Sequence, residues 1–440
     1  MDYRHYFNAV AHSVDTLKQE QLDAKQYSDA VDQFGHQYVD VVMEGGGVLG
    51  VALLGYLYIF EQAGLRFLGI GGTSAGSITA LLLAAIDNPG QRKVERLTQL
   101  LANIPMDTFI DGDEDARQTI EALGKLVNEA GGGFSRRVHQ FLNIASAGWN
   151  GWMGKDELER NLGLNPGFQL YDWIKTTLDS AEIRSMADLR RRMATLPEGG
   201  LTHRETGEVI EIGAGSHCLC LITADISTET RVELPRMAEL YWHEPEQVHP
   251  ADFARASMAI PFFFEPYIVN DLPRGDAQRQ KWMDLAGFDE SSVQGDNWLP
   301  ERCLLVDGGV MSNFPIDAFH DYKKAPRWPT FGIKLAWDER NHRITKPATL
   351  LRQVLNSARH TLDYEFIKRN VDYKHLVGFI DTGGYDWLDF SLRDNDKVDL
   401  FRRGAEAALA FLRKFDWNRY KIVRAGLTQA HAPEAKRDQN

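Results

Sequence analysis

Ser74 lies in Gly72-Thr73-Ser74-Ala75-Gly76, a setting in which a serine hydroxyl can serve as a nucleophile. The pentapeptide follows the apolar run RFLGI and opens the apolar run SITALLLAAI, as a sharp strand-to-helix turn would. The flanking Gly72 and Gly76 relieve crowding on such a turn and let Ser74 Oγ project toward a substrate, while the helix N-terminus favours negative charge. A second glycine loop, Gly45-Gly46-Gly47-Val48-Leu49-Gly50, follows VDVVM and can aim backbone N–H groups at a developing oxyanion. Together the two loops point to acyl transfer through a serine.

Such a serine needs a base. Asp307, in Leu304-Leu305-Val306-Asp307-Gly308-Gly309, ends an apolar run where Gly308 and Gly309 allow a sharp turn toward a neighbouring loop. Asp-Gly pairs also mark ordinary turns, so the motif alone does not decide. His320, His342, His360 and His375 follow Asp225 and Asp307 in the order an α/β-hydrolase triad would use, but none has a distinctive setting. The first loop also satisfies a dinucleotide fingerprint, Gly45-x-Gly47-x-x-Gly50. That reading calls for an acid about 20 residues on to hold ribose hydroxyls, where this chain has Leu68-Gly69-Ile70-Gly71-Gly72.

The elements that must position these residues form a βαβα unit. VDVVM reads as a buried strand, Val48 to Ala63 as a helix stopped by Gly64, RFLGI as the next strand and SITALLLAAI as a helix ended by Asn88-Pro89-Gly90. Parallel strands joined in this way bring both loops to one edge of the sheet. CLCLITADI, CLLV and TFGIKLAW read as further strands and HPADFARASMAI as a short helix, whereas 91–200 reads as a charged, mainly helical excursion. We expect an α/β fold organised as a helical lead-in over 1–36, a catalytic domain over 37–340 and a helical extension over 341–440. Within the middle unit, 91–200 and 269–302 read as insertions able to cover the site.

A chain of 440 residues, 25% charged and 43% hydrophobic, can bury a substantial core. The N-terminus lacks a basic segment followed by an apolar one, and SITALLLAAI is too short to span a bilayer. These features imply a cytoplasmic protein that touches membranes only peripherally. A formal charge of −13 disfavours nucleic acid as a partner. Cys218, Cys220 and Cys303 lie in apolar runs and read as small buried hydrophobes rather than as a disulfide framework or metal site.

The chain resembles the patatin-like acyl hydrolases, in which a glycine-rich oxyanion loop, a Gly-x-Ser-x-Gly elbow and a distant Asp-Gly-Gly or Asp-Gly-Ala occur in this order. Met153-Gly154-Lys155-Asp156-Glu157-Leu158, Thr223-Ala224-Asp225 and Ala254 through Pro261 extend the similarity over roughly 38–335. The resemblance implies a three-layer α/β/α fold with a mainly parallel sheet. It also implies a Ser74–Asp307 dyad without histidine, an oxyanion hole from Gly46 and Gly47 with Gly45 or Ala75, and no cofactor or metal. Glycerophospholipids or related acyl lipids, as membranes or micelles, would be the substrates, and a homo-oligomer is compatible. An unperturbed Asp is a weak base for a hydroxyl, so burial is expected to raise the Asp307 pKa.

One position departs from the family. Leu49 stands where an Arg or Lys usually follows the third glycine by two residues, which motivates an alternative: a weakly catalytic lipid-binding or regulatory protein on the same fold. Phe262-Phe263-Phe264 reads as core ahead of acyl pocket or membrane anchor, and Trp149 and Trp152 as the better interfacial aromatics. Arg413, Lys414, Arg419, Lys421 and Arg424, interleaved with Trp417 and Tyr420, read as a solvated helix face.

Overall fold

The computed structural model describes residues 2–102, 104, 111, 162–212, 219–295, 297–319, 326–336, 367–368, 370–385 and 392–430. Two short helices, α1 (Arg4–Ala9) and α2 (Ala11–Gln19), precede strand β1 (Ala30–Val31). The expected βαβα unit follows as β2 (Gln37–Met43), α3 (Gly50–Gln62), β3 (Leu65–Thr73) and α4 (Ala75–Ala85). Val51 through Glu61 of α3 and every residue of α4 are buried, so these helices are apolar all round because they lie inside the molecule.

Helix α5 (Val94–Ala102), strand β4 (Gly163–Asn165), α6 (Phe168–Ser180), α7 (Met186–Ala194) and β5 (Thr202–His203) come next. The chain then re-enters the sheet with β6 (Leu219–Asp225) and β7 (Thr230–Leu234), passes through α8 (Pro250–Ser257), and adds β8 (Phe262–Phe264) and β9 (Tyr267–Asn270). Helix α9 (Asp276–Ala286) precedes β10 (Arg302–Asp307), β11 (Thr330–Ala336) and β12 (Val377–Asp381), and α10 (Asp394–Lys414) and α11 (Trp417–Ala430) follow.

The main sheet runs β12-β11-β2-β3-β6-β10-β9. Its first five members are parallel neighbours, whereas β10 is antiparallel to both β6 and β9. With helices against this sheet, the fold is the mainly parallel three-layer α/β/α architecture. Strand β12 lies in a stretch whose mixed charged and apolar residues read as helical, and VGFID is short enough for periodicity to leave its type open.

The β2–β3 register carries a one-residue irregularity. Val39 pairs with Phe67 but Val41 with Ile70, so Asp40 faces both Leu68 and Gly69. Asp40 Oδ1 accepts the Gly69 N–H at 2.7 Å, satisfying a donor that the bulge takes out of the ladder. Its other oxygen accepts from Trp328 Nε1 at 3.0 Å.

Of the basic C-terminal residues, Arg413, Lys414 and Arg419 are exposed as their pattern suggests, whereas Trp417, Tyr420, Lys421 and Arg424 turn inward and tie the helix to the body of the molecule. Trp417 and Tyr420 are buried, Trp417 Nε1 donates to Asp29 Oδ1 at 2.7 Å, Lys421 pairs with Asp29 at 3.0 Å, and Arg424 pairs with Asp372 at 3.0 Å. Periodicity could not reveal their carboxylate partners, because Asp29 is nearly 400 residues away in sequence.

Candidate active site

Because β2 and β3 are parallel neighbours, both glycine loops leave the same sheet edge. Gly45 lies directly against Ser74: a Cβ on Gly45 would come within 3.0 Å of the Ser74 Cβ. Ser74 caps α4 with φ 55° and ψ −123°, a left-handed conformation that an L-residue adopts only when its surroundings hold it there. Gly72 and Gly76 make that turn possible. A Cβ on Gly72 would clash with the Gly76 carbonyl group, and one on Gly76 would sit 2.5 Å from the Met43 carbonyl oxygen.

Hydrogen bonds brace the elbow. Ser74 N–H donates to Ser257 Oγ at 3.0 Å, and that hydroxyl donates in turn to the Ile222 carbonyl of β6 at 2.6 Å. The Ser74 carbonyl accepts from Ser77 N at 2.8 Å and from Ser77 Oγ at 2.6 Å. Thr73 Oγ1 donates to the Ser312 carbonyl at 3.0 Å.

Asp307 reaches the same place from the far side of β6. It pairs with Thr223 in the antiparallel β10–β6 ladder, one residue beyond the Ile222 that faces Thr73 on β3. Ser74 Oγ donates to Asp307 Oδ2 at 2.5 Å, and Gly309 N donates to Asp307 Oδ1 at 2.7 Å. Asp307 N donates to the Ala259 carbonyl at 2.8 Å, tying the carboxylate's backbone to the segment after α8. A short hydroxyl–carboxylate contact with both groups buried is the arrangement in which a carboxylate can take a serine proton. Among the described residues, the partners of Ser74 Oγ are Asp307 and Met258 Sδ, the latter at 3.2 Å. His320, His342 and His360 lie outside the described residues, and His375 ends a short turn just before β12.

The first loop is held by Asn313. Its carbonyl accepts the Gly45 N–H at 3.0 Å and its Nδ2 donates to the Gly45 carbonyl at 3.0 Å. The Gly45 amide is therefore already engaged and serves to place the loop. The amides of Gly46, Gly47 and Ala75 donate to no acceptor among the described residues, and Gly47 sits at φ 52°. Glu44, just before the loop, accepts Lys334 Nζ at 2.6 Å and Leu335 N at 2.7 Å. Leu49 is buried in the core, so apolar packing anchors this position, where the resemblance led us to expect a cation.

An apolar cavity of about 50 Å³ opens beside these groups, with Gly47, Ala75, Ile78, Leu101, Met258 and Phe264 in its wall. The three phenylalanines divide their roles. Phe264 is buried and lines the cavity, Phe263 packs against the core, and Phe262 is 41% exposed. Arg255 stacks over Phe264 at 5.4 Å and donates to the Pro166 and Glu265 carbonyls, fixing β8 beside α6.

Sequence reasoning passed over Ser257 and Asn313. Ser257 falls within the Ala254–Pro261 segment quoted for the resemblance, and Asn313 follows Asp307 by a short turn, but neither type nor spacing shows that one braces Ser74 and the other clamps Gly45. Cys220 and Cys303 are buried free thiols, as expected of small hydrophobes, and Cys218 lies outside the described residues. So do Trp149, Trp152 and the segment Met153–Leu158. No cluster of His, Cys, Asp or Glu among the described residues could hold a metal ion.

A serine hydroxyl on a strained strand-to-helix turn, bonded to a buried aspartate beside a glycine loop, has the geometry that a serine hydrolase requires. The Patatin-like phospholipase family matches residues 41–320, and the chain belongs to that family. YqhO of Bacillus subtilis (strain 168), described as uncharacterized, is 25% identical over 383 residues, covering 86% of this chain and 100% of that protein. An RpoH suppressor of Rhizobium meliloti (strain 1021) is 35% identical over 78 residues, 18% of this chain and 12% of its own length. Among solved structures, VipD from Legionella pneumophila aligns over 88% of this chain and 71% of that one, with a TM-score of 0.37 and 15% identity. The family membership leaves the dinucleotide reading of the first loop without support.

Proposed function

We propose that the protein is a serine lipid acyl hydrolase that cleaves carboxylic esters of glycerophospholipids or related acyl lipids through Ser74 and Asp307. The observation that carries this reading is the 2.5 Å hydrogen bond from Ser74 Oγ to Asp307 Oδ2 on a strained elbow. In the first step Ser74 Oγ attacks the ester carbonyl carbon while its proton passes to Asp307 Oδ2. The carbonyl oxygen becomes an oxyanion that accepts the amides of Gly46, Gly47 and Ala75, each such donor contributing roughly 3 kcal/mol. Collapse of this intermediate breaks the ester C–O bond and the leaving alcohol takes the proton from Asp307. Water then gives a proton to Asp307, attacks the acyl carbon and releases the fatty acid, and Ser74 recovers its proton.

The cavity beside Ser74 suits the first part of an acyl chain, with Met258 and Phe264 against it. Leu162, Phe168 and Phe262, exposed on or beside the β4–β8 pair, supply apolar contacts for peripheral engagement of a lipid surface. No helix among the described residues is long and apolar enough to cross a membrane. We take 37–340 as the catalytic unit, to whose sheet the C-terminal segment adds β12 and against whose α3 it packs α10.

Incubation with mixed phospholipids and a galactolipid should release fatty acid, and Ser74→Ala should release none above background. A fluorophosphonate should label Ser74 in the wild type and not in Asp307→Asn. Equal fatty acid release by wild type and Ser74→Ala would sink the reading, whereas lipid binding without labelling would favour the regulatory alternative motivated by Leu49.

A further inference from the structure

A second recess lies near the start of β3, away from Ser74. Its volume is about 530 Å³, within the range of sites that take small organic ligands. Arg66, Arg92, Asn88, Gln91, His36 and Phe34 are among the residues that line it. Arg66 is the second residue of β3 and Ser74 follows the last, so at about 3.3 Å per residue the two stand roughly 26 Å apart along one strand. A ligand in this recess is therefore not the ester being cleaved.

Arg66 is the unusual group. It is only 3% exposed, yet no carboxylate lies within ion-pair distance of it among the described residues. Its Nε donates to the Gly90 carbonyl at 3.0 Å and its Nη1 to the Leu65 carbonyl at 2.7 Å, while Nη2 donates to no acceptor among the described residues. Burial, chiefly, works against its charge; the nearby Glu61 and Asp32 carboxylates support it without touching it, and Arg92 adds repulsion. A buried cation with no carboxylate in direct contact keeps part of its desolvation cost, which a bound anion would offset.

Of the two acids that line the recess, Asp32 is already saturated. Asp32 Oδ1 accepts from Phe34 N and His36 N, both at 2.9 Å, and Oδ2 accepts from His36 Nδ1 at 2.9 Å and Tyr38 OH at 3.0 Å. Glu198 is exposed, free to turn toward solvent. Phe34, 68% exposed on the turn between β1 and β2, offers an apolar ring at the mouth.

From these features we infer that the recess is a binding site for a small phosphate ester, its oxyanion held by Arg66 and Arg92 and its organic part resting on Phe34. Two guanidinium groups match the bidentate geometry of a phosphate, and the neighbouring Asn88 and Gln91 amides can donate to its remaining oxygens. The inference is independent of what Ser74 hydrolyses.

Calorimetric titration of the full chain with phenyl phosphate and with inorganic phosphate tests it. Phenyl phosphate should bind at one site, and Arg92→Ala, at an exposed position, should weaken it about tenfold, the loss of one charge-assisted contact. Phe34→Ala should weaken phenyl phosphate while leaving inorganic phosphate unchanged, and Ser74→Ala should change neither. Arg66→Lys, which keeps the charge but loses the fork, should also weaken binding, with its melting temperature recorded beside it. Phosphatidylcholine vesicles carrying phosphatidic acid identify the source: displacement of phenyl phosphate points to a lipid headgroup, and its absence to a soluble ester, both compatible with the site. Absence of saturable binding by the wild type, equal affinity in Arg92→Ala, or loss of binding in Ser74→Ala would overturn the assignment.

Discussion

The hydroxyl of Ser257 sits at the junction on which the Ser74 conformation depends. It accepts the Ser74 N–H and donates to Ile222, so it ties the elbow of β3 to the neighbouring strand β6. Replacing it with alanine leaves a buried amide and a buried carbonyl without partners, at a cost of about 1–3 kcal/mol. Part of that cost falls on the φ 55° geometry of Ser74, which nothing in its own side chain favours. Ser257→Ala should therefore lower ester turnover by roughly tenfold or more, as expected when about 1.4 kcal/mol is lost from the transition state. Measuring kcat on a soluble ester alongside the melting temperature checks this; unchanged kcat would show that the elbow keeps its geometry without the brace.

At the scale of the strands, the β2–β3 bulge has a consequence for pH. Burial pushes the Asp40 carboxyl from an ordinary 3.8 up to about 7, against hydrogen bonds from Gly69, Trp328 and Thr330 that favour the anion. Between about pH 4 and pH 7 the folded chain holds a proton on Asp40 that the unfolded chain has released. Stability from this group is thus greatest below the unfolded value and falls as pH rises through the window, by at most about 1.4 kcal/mol per pH unit. Asp40→Asn can still accept the Gly69 N–H and has no proton to lose. Urea unfolding across that window should show a downward slope in the wild type that the variant lacks. Parallel slopes would mean that the carboxyl is ionised throughout.

Over the whole molecule, the C-terminal helix α10 is part of the support for the first loop. Helix α3 begins where that loop ends and packs against α10 so closely that glycine is needed on both sides. A Cβ on Gly404 would fall on the Ala52 carbonyl, and one on Gly55 on the Phe401 carbonyl. Gly404→Ala should force the helices apart and lower stability by about 1–3 kcal/mol, read as a shift in denaturation midpoint with Ser74 labelling lost in parallel on warming. Preserved stability would show that α10 tilts without disturbing α3. The staples from α10 and α11 to Glu20, Lys25 and Asp29 join the two termini of the chain in the same way.

Much of the site was legible from residue types. Apolar runs broken by glycine at Gly45–Gly50 and Gly72–Gly76 report strands buried on both faces followed by tight turns, because only such turns need so many residues without a Cβ. The sequence by itself therefore determined the βαβα core, the family, and the candidates Ser74 and Asp307. Tertiary structure decided what depends on groups distant in the chain: the antiparallel entry of β10 that carries Asp307 across β6, the Asn313 clamp that engages Gly45, the joining of β12 to the sheet, and the burial of Arg66 without a described carboxylate in ion-pair contact. Local pattern reports burial and turning, which each residue carries in its own chemistry. Partner identity is set by which strand lies next to which, and that is a property of the packed molecule.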